Sequence, residues 1–171
     1  MPHRFYSLKF GSLLKVIALD SMHPDICLVP ELCSLDFLYS QINKGQTPWT
    51  IVMSHYPLSS ASSGSKANYR GEDLSSTVLR YMVCNKADMW LSGHAHHLEH
   101  RKINSCNTDM IISGTAGGNN DQYYEGQKES KFISKEDGFV SIKVDENKIN
   151  IRFFNSDAKL LYEVNKIKNS L

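Results

Sequence analysis

The chain has 171 residues, 41% of them apolar, with ten glycines and a formal net charge of +1. That length suits one domain, and that apolar share supports a packed core rather than disorder. The near-zero charge gives no broad attraction to nucleic acid or anionic membrane, and runs such as 16–19 and 110–112 are far too short to span a bilayer. Met1-Pro2-His3-Arg4 lacks the apolar stretch of a secretory signal, which leaves the compartment unknown and cytoplasmic only by default.

Cys27, Cys33, Cys84 and Cys106 are scattered without a Cys-x-x-Cys pair. This argues against a disulfide scaffold or zinc ribbon and favours reduced, mostly buried thiols. A bridge between Cys27 and Cys33 stays open for an exported protein.

Residues 16–20, 49–54, 89–92 and 110–113 are short, continuous apolar runs, the pattern of buried strands. Leu35, Leu38 and Ile42 recur at helical spacing, with Ser34 as N-cap and Gly45 just past the end. Leu74, Val78, Tyr81 and Met82 repeat that spacing behind Asp73. Strands alternating with single helices predict an α/β sheet. Further on, 139–144 and 148–153 alternate apolar and polar residues around Asp145-Glu146-Asn147, which predicts an antiparallel β-hairpin, and 160–164 adds a third strand. Residues 59–71 and 114–134 read as long loops, and no repeat or linker divides the single domain.

Chemistry concentrates at two strand ends. Residues 89–92 run into Gly93-His94-Ala95-His96, and residues 49–54 run into His55-Tyr56-Pro57. Neutral imidazole is the commonest metal ligand, and α/β sheets place their sites at the C-terminal ends of strands. A right-handed crossover between parallel strands puts both ends on one edge, so three imidazoles are predicted to converge. The plainer readings are a solvated histidine-rich loop, since His97 and His100 follow closely, and a structural His55.

Ser54-His55-Tyr56-Pro57, Gly93-His94-Ala95-His96 and Ile112-Ser113-Gly114-Thr115-Ala116-Gly117-Gly118 together resemble the last motifs of the calcineurin-like metallophosphoesterases. The His-Tyr-Pro form and the tail over 139–162 look most like the purple, tartrate-resistant-type acid phosphatases. The resemblance implies part of a four-layer α/β/β/α sandwich and a centre of two divalent or trivalent ions, iron, zinc or manganese. Such ions lower the pKa of a water that attacks a phosphoester in line. In that frame His55 and His94 would hold one ion and His96 the other. His97 and His100 would be supporting or solvent-exposed.

The family's earlier motifs supply two aspartates, an asparagine, a Gly-Asn-His segment and, in the purple branch, a tyrosine. Phe5-Tyr6-Ser7-Leu8 corresponds to the stretch just after Gly-Asn-His, so the resemblance implies an N-terminally incomplete domain over 1–171. Asp20 ends a strand but lies past those motifs and is not assigned as a ligand. Imidazoles without carboxylates to offset their charge would hold ions weakly, so partial occupancy is expected. Removal of the preceding part would also expose apolar sheet surface and open edges.

Two weaker candidates remain. Gly114–118 lacks the Lys-Ser/Thr of a P-loop and reads as turn chemistry. Arg70, in a polar loop after His55, is a candidate phosphate contact against the plainer reading of a solvated arginine. The function expected is phosphoric ester hydrolysis, acting on phosphomonoesters, with a separate chain as a candidate source of the N-terminal half. The alternative is a non-catalytic remnant that binds a metal or a partner.

Overall fold

The computed structural model describes residues 4–20, 34–44, 47–62, 74–117 and 127–168. Two sheets are present. The larger has seven strands in the order β1-β2-β3-β4-β6-β5-β7: Tyr6–Phe10, Leu14–Ala18, Trp49–Met53, Met89–Ser92, Asp109–Ser113, Leu98–Arg101 and Ser130–Ser134. Strands β2, β3, β4 and β6 are parallel, and β1, β5 and β7 run against their neighbours. The smaller sheet is antiparallel, in the order β10-β9-β8, from Leu160–Ile167, Lys148–Asn155 and Gly138–Val144. The predicted α/β class and C-terminal hairpin, with its third strand, are therefore present.

Alternation along the central strands sorts two cores, because successive side chains point to opposite faces. Val52, Trp90 and Met110 pack with Leu38 of helix α1 (Ser34–Asn43) and with Leu79 and Val83 of helix α2 (Leu74–Val83). Trp49, Ile51, Met89 and Ile111 pack instead with Ile149, Ile151 and Phe153 of the smaller sheet. The layers thus run helices, large sheet, small sheet among the described residues. Trp49 adds a directed tie, its indole N–H donating to the Asp145 carbonyl at 2.6 Å. Buried Lys15 on β2 closes the end of α1, donating to the Gln41 carbonyl at 2.8 Å and to that of Lys44. A cation there satisfies carbonyls that the helix leaves over and suits its dipole.

Several expectations need correction. Strands β1 and β5 were not foreseen, and β7 forms inside the stretch read as a loop. Strand β7 pairs only with β5, some thirty residues back, so no local hairpin signal announces it. Tyr81 does not belong to the apolar face of α2. It is 81% exposed, and the inward residues are Leu79 and Val83, four apart. The reading of free thiols fails for Cys84 and Cys106, which form a disulfide between the end of α2 and the loop before β6. Cys27, Cys33, Gly45 and Asp73 lie outside the described residues.

Candidate functional site

Strands β3 and β4 are parallel neighbours with Met53 opposite Leu91, so the residues that follow each emerge at one edge. The Ser54 amide donates to the Leu91 carbonyl at 3.0 Å, and the Gly93 amide donates to the His55 carbonyl at 3.2 Å. These bonds extend the ladder past the strands and place the two histidine loops side by side. His55 Nε2 lies 3.0 Å from His94 Nδ1. Tyr56 completes the nest, its ring 4.1 Å from His94 and 5.1 Å from His55 between centroids.

His94 takes a left-handed backbone, φ 61°. For a residue with a Cβ this costs on the order of 1–2 kcal/mol, so the surrounding loop must hold it there. Part of that support is Gly114. A Cβ at Gly114 would sit 1.8 Å from the Ala95 carbonyl oxygen, and the Gly114 amide donates to the His97 carbonyl at 3.1 Å. Glycine at this position is required for the close approach of β6's end to the histidine loop, which corrects the reading of turn chemistry alone.

His55 is held below the usual histidine range, first by desolvation and then by the charges of His94 and His96. Loss of water, with like groups crowding second, favours the neutral imidazole that metals bind. His96 is therefore within electrostatic reach of His55. The buried hydroxyl of Ser54, next to His55, makes no hydrogen bond among the described residues. A cavity of about 480 Å³ opens beside this cluster, lined by His55, Ser54 and Gly93 and by the apolar Leu19, Met53 and Ile142.

The fit to a metal is partial. Two nitrogens 3.0 Å apart suit one shared ion, since metal–imidazole bonds of roughly 2.0–2.1 Å then meet at about 90°. Yet among the described residues no three His, Cys, Asp or Glu side chains are grouped to hold an ion, and Asp20 does not complete such a group. Arg70 lies outside the described residues.

His97 and His100 prove to be buried, which sets aside the solvent-exposed alternative for both. Both sit against carboxylates. His97 Nε2 is 2.9 Å from Glu99 Oε2, and His100 Nε2 is 2.9 Å from Asp109 Oδ1. Burial alone would raise both acids, but their donors outweigh it. His97, Ser130 and the Ala61 amide hold Glu99 below the ordinary carboxylate range, and His100 with Lys166 does the same for Asp109. Glu99 was missed in the sequence. Its one signal was an acid inside a short strand beside an apolar Leu98.

Residues 14–98 match the family model for calcineurin-like phosphoesterases. The chain is 24% identical over 124 residues to purple acid phosphatase 4 of Arabidopsis thaliana, covering 71% of this chain and 35% of that one. Its fold matches the purple acid phosphatase from yellow lupin (Lupinus luteus) seeds with TM-score 0.78 at 16% identity, over 94% of this chain and 32% of that one. It also matches GAP50, the anchor in the inner membrane complex of Plasmodium, with TM-score 0.80 at 18% identity, over 99% of this chain and 56% of that one. The chain spans about a third of the length of the curated relatives it matches first. Motifs, family match and fold agree, and the chain belongs to the calcineurin-like phosphoesterases, with its similarity directed to the purple acid phosphatases.

Proposed function

We propose that the chain carries the histidine share of a two-metal site that hydrolyses phosphomonoesters. The observation that carries this reading is the pairing of His55 and His94 at 3.0 Å on the C-terminal edge of parallel strands. His55 and His94 would hold one ion and His96 would contribute to a second, with iron, zinc or manganese as the candidates. Such ions supply charge for the phosphoryl oxygens and a water of lowered pKa. The chain's own residues do the rest of the local work. Depressed basicity favours neutral His55, Tyr56 packs the rings in place, and Gly114 permits the strained turn at His94.

The carboxylates and the leaving-group acid are assigned to polypeptide beyond these 171 residues, in the same or a separate chain. Two observations support that assignment. The relatives are about three times as long as the matched segment. Among the described residues strand β8 is an edge of the small sheet, with Val140 and Ile142 only partly covered beside the apolar cavity that adjoins His55. An open edge with apolar neighbours is a ready seat for another strand.

A second reading, a non-catalytic module of this fold that binds a metal or a partner, is favoured by the likeness to Plasmodium GAP50 and by the incomplete ligand group. Hydrolysis of p-nitrophenyl phosphate by the purified chain with added zinc, manganese or iron separates the possibilities. Very slow turnover is expected, because general acid catalysis alone is typically worth about 10²–10⁴-fold. Robust turnover abolished by His94→Ala would show that the 171 residues supply their own carboxylates and acid, against the proposed division.

A further inference from the structure

The two histidine loops share a buried anchor that the chemistry above does not use. Glu99 on β5 is fully buried, as is His97. Its Oε2 accepts the Ala61 amide at 3.0 Å and lies 2.9 Å from His97 Nε2, with Ser60 Oγ at 3.4 Å. Its Oε1 accepts from Ser130 Oγ on β7 and faces an Arg101 guanidinium nitrogen at 3.4 Å. Ala61 belongs to the loop that starts at His55, and His97 directly follows His96. One carboxylate therefore touches both loops that deliver imidazoles to the sheet edge.

The loops have few other ties of this kind. The first is fixed near its start by the Trp90 indole donating to the Tyr56 carbonyl at 3.1 Å. The second folds on itself, the Ala95 amide to the Gly93 carbonyl at 2.7 Å and the His97 amide to the Ala95 carbonyl at 2.8 Å. Neither set joins the far ends of the loops, where Ser60 Oγ lies 3.4 Å from His97 Nε2. Glu99 binds both of those residues and Ala61 as well, from a strand flanked by β6 and β7. With its lone pairs occupied by Ala61, His97, Ser60 and Ser130 besides Arg101, it is built to orient rather than to bind a ligand.

We propose that Glu99 is the positioning residue of the candidate site, setting the separation of the His55 and His94–His96 loops by holding Ala61 and His97 together. This inference rests on the metal-site reading. Residues that orient ligands from behind typically cost about 10–100-fold in metal affinity when changed.

The test compares Glu99→Gln with Asp109→Asn, which disturbs a buried ion network at the opposite sheet edge. Zinc affinity is measured by calorimetry, and amide hydrogen exchange is followed at residues 55–62 and 93–97. Glu99→Gln is expected to weaken zinc binding about 10–100-fold and to speed exchange in both segments, Ala61 most of all, while Asp109→Asn leaves affinity unchanged. Equal losses of affinity in the two variants would overturn the proposal, since general destabilisation would explain both. Unchanged exchange of Ala61 in Glu99→Gln would also overturn it. If the unaltered chain takes up no zinc, the metal reading fails, and the exchange of the two segments still decides whether Glu99 joins them.

Discussion

At the C-terminal edge of the parallel strands, His55 and His94 meet each other at 3.0 Å, and no group of three ligand-type side chains forms among the described residues. At the opposite edge Asp109 opens β6 and holds His100 at 2.9 Å and Lys166 at 2.6 Å, while the Tyr162 hydroxyl lies 3.1 Å from the other His100 nitrogen. The far edge is also cross-linked by Cys84 and Cys106. Its polar groups satisfy one another in the interior, and Lys166 and Tyr162 bring the small sheet onto the large one. At the histidine edge His55 is exposed and His94 and His96 are half-buried beside a cavity, whereas His100, Asp109 and Lys166, which also line a cavity, are buried. Buried side chains that complete each other's hydrogen bonding serve the fold, and imidazoles accessible to solvent are the ones a ligand can reach.

The largest effect expected from this contrast is at Asp109. Asp109→Ala strands Lys166, 8% exposed, without its counter-charge, so stability should fall by about 3–5 kcal/mol in urea denaturation. A loss under 1 kcal/mol would mean the far edge is not held by this network. Next comes reduction of the Cys84–Cys106 bridge, whose residues are 22 apart in sequence, which should cost about 3 kcal/mol by chain entropy. Thermal melts with and without a thiol reductant measure it. Unchanged melting would remove the bridge from the account.

The smallest effect concerns metal. With no full ligand group among the described residues, zinc should bind weakly, and at ten times its dissociation constant the gain is about 1.4 kcal/mol. His96→Ala should erase the gain. His100→Ala should lower the starting melting temperature, because it breaks the Asp109 network, yet keep the zinc-induced rise. Equal loss of that rise in both variants would mean a histidine-rich loop that captures ions without geometry.

Much of this contrast was legible in the sequence, and the reasons are physical. His55 and His94 follow buried apolar runs, and parallel strands carry their ends to one edge, so their meeting could be foreseen from the order of elements. The fates of His97 and His100 were hidden because their partners depend on register. Asp109 comes within reach of His100 only once β5 folds back antiparallel on β6, with His100 opposite Ile111. Strand β7, which carries Lys131 and Phe132 among polar neighbours, has loop-like composition and gains its order from pairing with β5 and from Phe132 packing on Phe153 and Tyr162 of the small sheet. The disulfide had no motif to announce it. Gly114 was visible as a glycine, but its need for close approach to Ala95 appears only when β6's end meets the histidine loop.

The most direct test follows the ring nitrogens of His55, His94, His96, His97 and His100 by long-range proton–nitrogen NMR while zinc is added. The account predicts that the signals of His55, His94 and His96 move together, while those of His97 and His100, held by Glu99 and Asp109, stay in place. Uniform movement of these rings, or movement of His97 and His100 first, would contradict it.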